Sequence, residues 1–180
     1  MKIFGGELQS PLEILNCENS GTTARLLLGL LVGQKISATI VGDFSLSSRP
    51  MGRVTIPLGL MGSTIDNNNG KLPLKIKTDY LLGIDYVQTI SSAQVKSAIL
   101  FAGLGATGTT KITEEYISRD HTEKMMKTIG IDILMENNAT TVKKLDKKLN
   151  PFEIIIPGDP STASFFAAAA LLLKKEIVLE

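Results

Sequence analysis

The chain repeats itself at a period near 70 residues, and that constrains its fold more than any composition figure does. Laid over itself, the 180-residue sequence aligns three segments, 20–31, 92–103 and 161–172. Each starts with a small hydroxyl residue and continues as an apolar helix. After the first two come strand-like runs at 36–41 and 109–114, then a short loop that carries an arginine, Arg49 or Arg119. A second helix follows, at about 51–61 and 121–129, closed by Gly62 and Gly130 as C-terminal glycines do. Short strands at 63–66, 74–77, 131–135 and 141–144 complete each copy, with turn signals at Asn67-Asn-Asn-Gly70 and Glu136-Asn-Asn138. The unit is thus strand, helix, strand, helix, strand, strand, an α/β pattern found twice in full. The third copy stops after its first helix, and the chain opens with strands expected at 2–3 and 12–14 that would close a preceding copy. A chain that starts and stops inside its own repeat is expected to be part of something longer.

Charge and composition remove several classes of function. Lysine and arginine number 19 against 18 aspartate and glutamate, a net charge of +1, so no broad field exists to hold nucleic acid or an anionic membrane. Aromatic residues make up 5% and tryptophan is absent, too few for the stacking platforms of single-strand readers. One cysteine, Cys17, excludes an internal disulfide and a cysteine-based zinc site and fits a reducing compartment. The first residues lack the apolar core of a signal peptide, which makes cytoplasmic location the expectation. The apolar run 163–173 is about half of what a spanning helix requires and reads as a buried helix.

Motifs with a familiar spacing mostly dissolve on inspection. Gly103-Leu-Gly-Ala-Thr-Gly108 has the G-x-G-x-x-G spacing but follows a helix and precedes a strand, the reverse of a dinucleotide-binding turn. Its glycines are expected to end a helix. His121 sits in Ser118-Arg-Asp-His-Thr-Glu123, where Asp120 and Glu123 are spaced for a capping box, and it is read as a surface residue of the first turn. Cys17 is read as a packed, inert thiol. No metal-ligand constellation and no cofactor motif is present.

What remains is a set of helix starts and a segregation of basic residues. Asn19-Ser-Gly-Thr22, Ser91-Ser-Ala-Gln94 and Asp159-Pro-Ser-Thr162 each combine a capping side chain with small residues that let a ligand reach backbone N–H groups. Of the 19 basic residues only Arg25, Arg49, Arg53 and Arg119 are arginines, and all four lie in or beside helix starts and loops. Their forked guanidinium groups suit phosphate and carboxylate. Arg25 and Arg53 are equally suited to structural ion pairs.

Five blocks in order resemble the signatures of the 5-enolpyruvylshikimate-3-phosphate synthase family: Asn19-Ser-Gly-Thr-Thr-Ala-Arg25, Arg49-Pro-Met-Gly-Arg53, Ser92-Ala-Gln-Val-Lys-Ser-Ala98, Ser118-Arg-Asp-His-Thr-Glu123 and Pro157-Gly-Asp-Pro-Ser161. The resemblance implies two domains of three βαβαββ units each, the inverse α/β barrel type of the enolpyruvyl transferase fold. It implies transfer of the enolpyruvyl group of phosphoenolpyruvate to the 5-hydroxyl of shikimate 3-phosphate, without cofactor or metal, by an enzyme that is monomeric when complete. By resemblance, residues 1–156 are the shikimate-phosphate-binding domain, with two units and the tail of a preceding one. Residues 157–180 are then the crossover and start of a second, truncated domain. Gly21 matches the position where backbone approaches phosphoenolpyruvate and where a larger residue affects the inhibitor glyphosate, and Arg49 matches an arginine that binds the phosphoenolpyruvate anion. Ser92, Ala93 and Gln94 match the helix start that receives shikimate 3-phosphate, Gln94 also reaching toward phosphoenolpyruvate. Ser118 and Arg119 match the loop that grips the shikimate phosphate or ring.

Two departures matter. Ala93 stands where some members have serine. The family's N-terminal lysine-serine segment and its later acidic and basic residues have no counterpart, so no carboxylate in a signature block is placed for the proton transfers the addition needs. The chain alone is therefore expected to be inactive. The related UDP-N-acetylglucosamine enolpyruvyl transferases usually carry a cysteine shortly before their Arg-Pro, where this sequence reads Gly42-Asp-Phe-Ser-Leu-Ser-Ser-Arg-Pro50. A noncatalytic module that binds phosphorylated metabolites is the alternative of a different class. If the sheet of the third unit is absent, the residues at 165–173 are expected to expose an apolar patch.

Overall fold

Residues 71–77 alternate: Leu72, Leu74 and Ile76 are buried while Lys71, Lys75 and Lys77 are exposed, as in a strand with one face on a core. In the computed structural model, which describes residues 2–156 and 158–178, this strand ends the first full repeat. That repeat runs β1 (Leu15–Asn16), α1 (Gly21–Gly33), β2 (Ala38–Val41), α2 (Phe44–Ser48), α3 (Gly52–Leu60), β3 (Thr64–Asn68) and β4 (Lys71–Lys77). The second runs β5 (Asp85–Gln88), α4 (Ala93–Gly103), β6 (Thr109–Glu114), α5 (His121–Thr128), β7 (Ile133–Glu136) and β8 (Ala139–Lys143). Each forms a four-stranded sheet, of order β1-β2-β4-β3 and β5-β6-β8-β7. In both, the first pair is parallel and crossed by a helix, and the other two pairs are antiparallel. The sequence repeat is a repeat of topology.

Helix α1 packs on α4, and glycines set how closely. A Cβ built on Gly29 would run into the Ala98 backbone, and one built on Gly33 would lie 2.6 Å from the Phe101 carbonyl oxygen. Contacts from Thr22 to Gln94 at one end and from Gly33 to Phe101 at the other mean that the helices run in the same direction. Their N-termini therefore open on one edge. Leu28 and Val32 of α1 share one core with Ile99 and Ala102 of α4 and with Ile40, Leu74, Ile112 and Val142 of the sheets, so both repeats bury their apolar faces jointly.

Several expectations are corrected. Residues 2–3 and 12–14 are not strands; regular pairing begins only at Leu15, opposite Ile40, because an isolated apolar pair without a partner strand gains no ladder. The loop before Arg49 contains a short helix, α2, capped by Asp43, whose Oδ1 accepts the Leu46 N–H at 2.7 Å. Strand β5 had no clear pattern in the sequence. The capping box at α5 does not form: Asp120 pairs with Lys124 at 3.0 Å, its side chain makes no cap bond, and Glu123 is buried elsewhere.

The chain divides into two compact units, Met1–Leu149 and Asn150–Glu180, and the second holds α6 (Pro160–Leu173). Its start is as read: Asp159 Oδ1 accepts the Ser161 N–H at 3.0 Å, with Pro160 in the first turn. Its expected burial is wrong. No residue of α6 is buried, because the unit holds no other regular element among the described residues; Phe165, Leu171 and Leu172 stand exposed. Pro157, where the sequence placed the start of the domain crossing, lies outside the described residues.

Candidate functional site

Helix α1 begins at Ser20, whose hydroxyl oxygen accepts the Thr23 N–H at 3.1 Å. The first helical residue, Gly21, is buried under two guanidinium groups. A Cβ there would stand 2.8 Å from Arg25 Nη1 and 3.3 Å from Arg49 Nη1. Arg49 ends α2, and its Nη2 donates to Asn19 Oδ1 at 2.6 Å and to Ser45 Oγ at 3.3 Å. Asn19 in turn donates to Asp43 Oδ2 at 2.8 Å. An amide thus stands between Arg49 and the nearest carboxylate of this network.

Every cation–carboxylate pair found among the described residues uses a lysine. Arg25 and Arg53, open to either use in the sequence, form no ion pair there. Burial lowers the pKa of Arg25, and the charges of Arg49 and Arg53 push it the same way. Three like charges gathered without a counter-ion are an electrostatic invitation to a small anion.

Helix α4 begins in the same manner at Ser92, whose Oγ accepts the Val95 N–H at 3.4 Å, while Gln88 Nε2 donates to the Ser92 carbonyl at 3.2 Å. Residues Ser91, Ser92, Ala93 and Gln94 form one wall of an open cleft of about 430 Å³, and Ile117, Ser118 and Arg119 form the other. The lining offers hydroxyls, an amide, a helix N-terminus and a guanidinium but no carboxylate. Ser118 Oγ is buried without a hydrogen-bond partner.

Gln94 joins the two places. Its Nε2 donates to Thr22 Oγ1 at 2.7 Å, and its Oε1 accepts from Arg25 Nη1 at 2.9 Å. The seven residues singled out in the sequence therefore fall into two neighbouring groups: Gly21 with Arg49, and Ser92, Ala93, Gln94, Ser118 and Arg119 around the cleft. His121 does not line it. Cys17 is buried, which raises its thiol pKa, in keeping with an inert role. Among the described residues no group of three or more His, Cys, Asp or Glu side chains is gathered to hold a metal.

One feature escaped sequence reasoning. Lys96, its side chain 2% exposed, lies 2.8 Å from Glu114 Oε2 and 2.6 Å from Glu123 Oε1. Glu123 makes a charge contact without an aligned hydrogen bond. Burial pulls the Lys96 pKa down, but the hydrogen bond to Glu114 and the close charges of both carboxylates outweigh it and leave the ammonium above its ordinary value. The only signal was a lone lysine among the apolar residues of 95–102.

Chemically the arrangement can bind small anions and orient them across two adjacent helix starts. It offers no proton donor or acceptor of the carboxylate kind in the cleft lining.

Residues 2–180 match the family model of EPSP synthase (3-phosphoshikimate 1-carboxyvinyltransferase). A 3-phosphoshikimate 1-carboxyvinyltransferase of Persephonella marina is 52% identical over 96% of this chain and 42% of its own length. The protein of that name from Bacillus subtilis is 44% identical over 96% of this chain and 41% of its own. An EPSP synthase structure from Acinetobacter baumannii superposes with a TM-score of 0.81 at 43% identity, over 89% of this chain and 37% of that one. The chain thus spans about two fifths of the length of the curated relatives it matches.

Proposed function

The chain belongs to the EPSP synthase family, and from that premise we propose that it carries the shikimate 3-phosphate site and part of the phosphoenolpyruvate site of an enolpyruvyl transferase. The reaction is transfer of the enolpyruvyl group of phosphoenolpyruvate to the 5-hydroxyl of shikimate 3-phosphate, with release of phosphate. One observation carries the reading: Gln94 ties the 430 Å³ cleft to the start of α1, where Arg25, Arg49 and Arg53 gather without a carboxylate partner. Two anionic substrates that must react with each other need two adjoining anion sites.

Within this reading Ser92, Ala93 and Gln94 receive shikimate 3-phosphate at the N-terminus of α4. Ser118 and Arg119 close on its phosphate or ring from the opposite wall. Gly21 brings backbone close to phosphoenolpyruvate, and Arg49 binds that anion, its fork aligned by Asn19 and Ser45. The addition also needs a proton on the enol methylene and the loss of one from the 5-hydroxyl, and no cleft-lining group supplies either. The chain is thus a binding half without turnover.

Residues 1–156 are assigned to the shikimate-phosphate-binding domain, supported by both full repeats lying inside Met1–Leu149, and 157–180 to a crossover and the start of a second domain. No described helix is long and apolar enough to cross a membrane. Family membership and the near-balanced net charge of +1 support a cytoplasmic protein, monomeric as the complete enzyme, with small-molecule partners and no nucleic acid.

Titration of the isotope-labelled chain with shikimate 3-phosphate, followed by NMR, tests the reading, with UDP-N-acetylglucosamine as control. Amide shifts confined to Ser92, Ala93, Gln94 and Arg119 with the first ligand are expected, at an affinity near ~1 mM or ~4 kcal/mol. Equal shifts with the control ligand would sink it.

A further inference from the structure

The two walls of the cleft come from different elements, and one buried carboxylate links the helix that starts at the first wall to Ser118 of the second. Glu114, at the end of β6, accepts Lys96 Nζ on its Oε2 at 2.8 Å and the Ser118 N–H on its Oε1 at 3.1 Å. Lys96 belongs to α4, whose first residues are the first wall; Ser118 belongs to the second wall. The backbone of Glu114 is itself fixed by Asn138, through Nδ2 to its carbonyl at 2.8 Å and through the Asn138 carbonyl to its N–H at 2.8 Å. Beyond Glu115, whose N–H reaches the Gln88 carbonyl at 3.1 Å, Tyr116, Ile117 and Arg119 are exposed. The Ser118 bond is the tether found in that stretch.

Stability does not explain such a cluster. A buried cation with two carboxylates pays heavily for desolvation, and well-packed apolar residues commonly hold a core equally well. What an apolar trio could not do is present an acceptor to the N–H of a surface loop.

We propose that Glu114, held by Lys96, is a positioning residue that keeps the loop at 116–119 in the geometry the cleft needs, and so sets its affinity for a phosphorylated polyol. The affinity clause rests on the function proposed above; the loop clause does not. Glu123 balances charge at Lys96 and makes no hydrogen bond to the 116–119 loop.

The test compares Glu114→Gln with Glu123→Gln in the full chain. A glutamine at 114 keeps the shape but has one acceptor oxygen for two donors; the charged Lys96 holds that oxygen, and the Ser118 N–H is left facing the amide NH2. At 123 the same change leaves an oxygen for Lys96. With Glu114→Gln, hydrogen exchange of the Ser118 amide should rise to the rate of Ile117, and affinity for shikimate 3-phosphate should fall about tenfold. Phosphoenolpyruvate shifts at Gly21 and Arg49 should not change. Glu123→Gln should leave all three readouts in place. Unchanged loop exchange in Glu114→Gln, or equal losses at both ligand sites in both variants in step with their Tm, overturns the proposal. If Glu114→Gln does not fold, Ser118 exchange in the unsubstituted chain decides. Protection well above that of Ile117 and Arg119 supports the tether, and equal rates overturn it. A chain that binds neither ligand fails the proposed function, and loop exchange alone then rules on the tether.

Discussion

At the start of α1 a missing methyl decides the geometry. Gly21 lies so close beneath Arg25 and Arg49 that any Cβ must displace a guanidinium group. Because the obstructing atoms are the ends of long side chains, Gly21→Ala is expected to fold with a Tm close to that of the parent. Its phosphoenolpyruvate affinity should drop by about tenfold, or ~1.4 kcal/mol, with the shikimate 3-phosphate titration unaltered. Lys96 behaves oppositely. Lys96→Met strands two buried carboxylates, Glu114 and Glu123, and should cost about 3–5 kcal/mol in urea unfolding. Since the folded-state pKa of Lys96 is raised, its contribution is complete below the ordinary lysine value of ~10.4. It fades only as pH climbs through the higher folded value, so urea midpoints of the parent and Lys96→Met should draw together as pH rises through that alkaline range. The gathering of the arginines at helix starts and loops was legible because they stood apart from 15 lysines. The role of Lys96 was not, because its partners lie 18 and 27 positions away in sequence and only packing brings them together.

Between elements, the decisive contact is α1 on α4. Alanine is worth about 1 kcal/mol more than glycine inside a helix, yet Gly29→Ala should lower stability by several kcal/mol. Its Cβ meets the Ala98 backbone, which cannot rotate away, and overpacking outweighs propensity. Gly59→Ala in α3 supplies the contrast: nothing lies within 4 Å of its Cβ, and a gain of about 0.5–1 kcal/mol is expected. Thermal melts of the two variants should move in opposite directions. Strands with clear alternation or turn signals, such as β4 and β6, were legible. Others were not: 2–3 and 12–14 have strand-like residues but no partner in the ladder, and α2 reads as loop because five residues carry too little periodicity. The capping box at α5 failed for an electrostatic reason, since Glu123 gains more from buried Lys96 than from an exposed N–H.

Across the whole molecule, repetition builds the site. Arg49 and Arg119 hold corresponding positions ahead of the second helix of each unit, and the starts of α1 and α4 lie side by side, so two copies of one βαβαββ plan set two capped helix starts and their arginines next to each other. The chain spans about two fifths of its curated relatives, and its cleft holds no acid or base. Incubated with both substrates, it should bind shikimate 3-phosphate and release no phosphate above background; steady phosphate release would refute the assignment of the chain as a binding half. The sequence by itself determined the repeat, the α/β class, the capped helix starts and the family, because these rest on local periodicity and on ordered motifs. Tertiary structure alone decided which residues meet. Gln94 reaches Arg25 and Thr22 because glycines let α1 and α4 close together, and Glu114 meets both Lys96 and the Ser118 N–H because α4 and the loop at 116–119 pack on the end of β6. Such contacts depend on side chains from separate units arriving at one place, and nothing in local spacing encodes that distance.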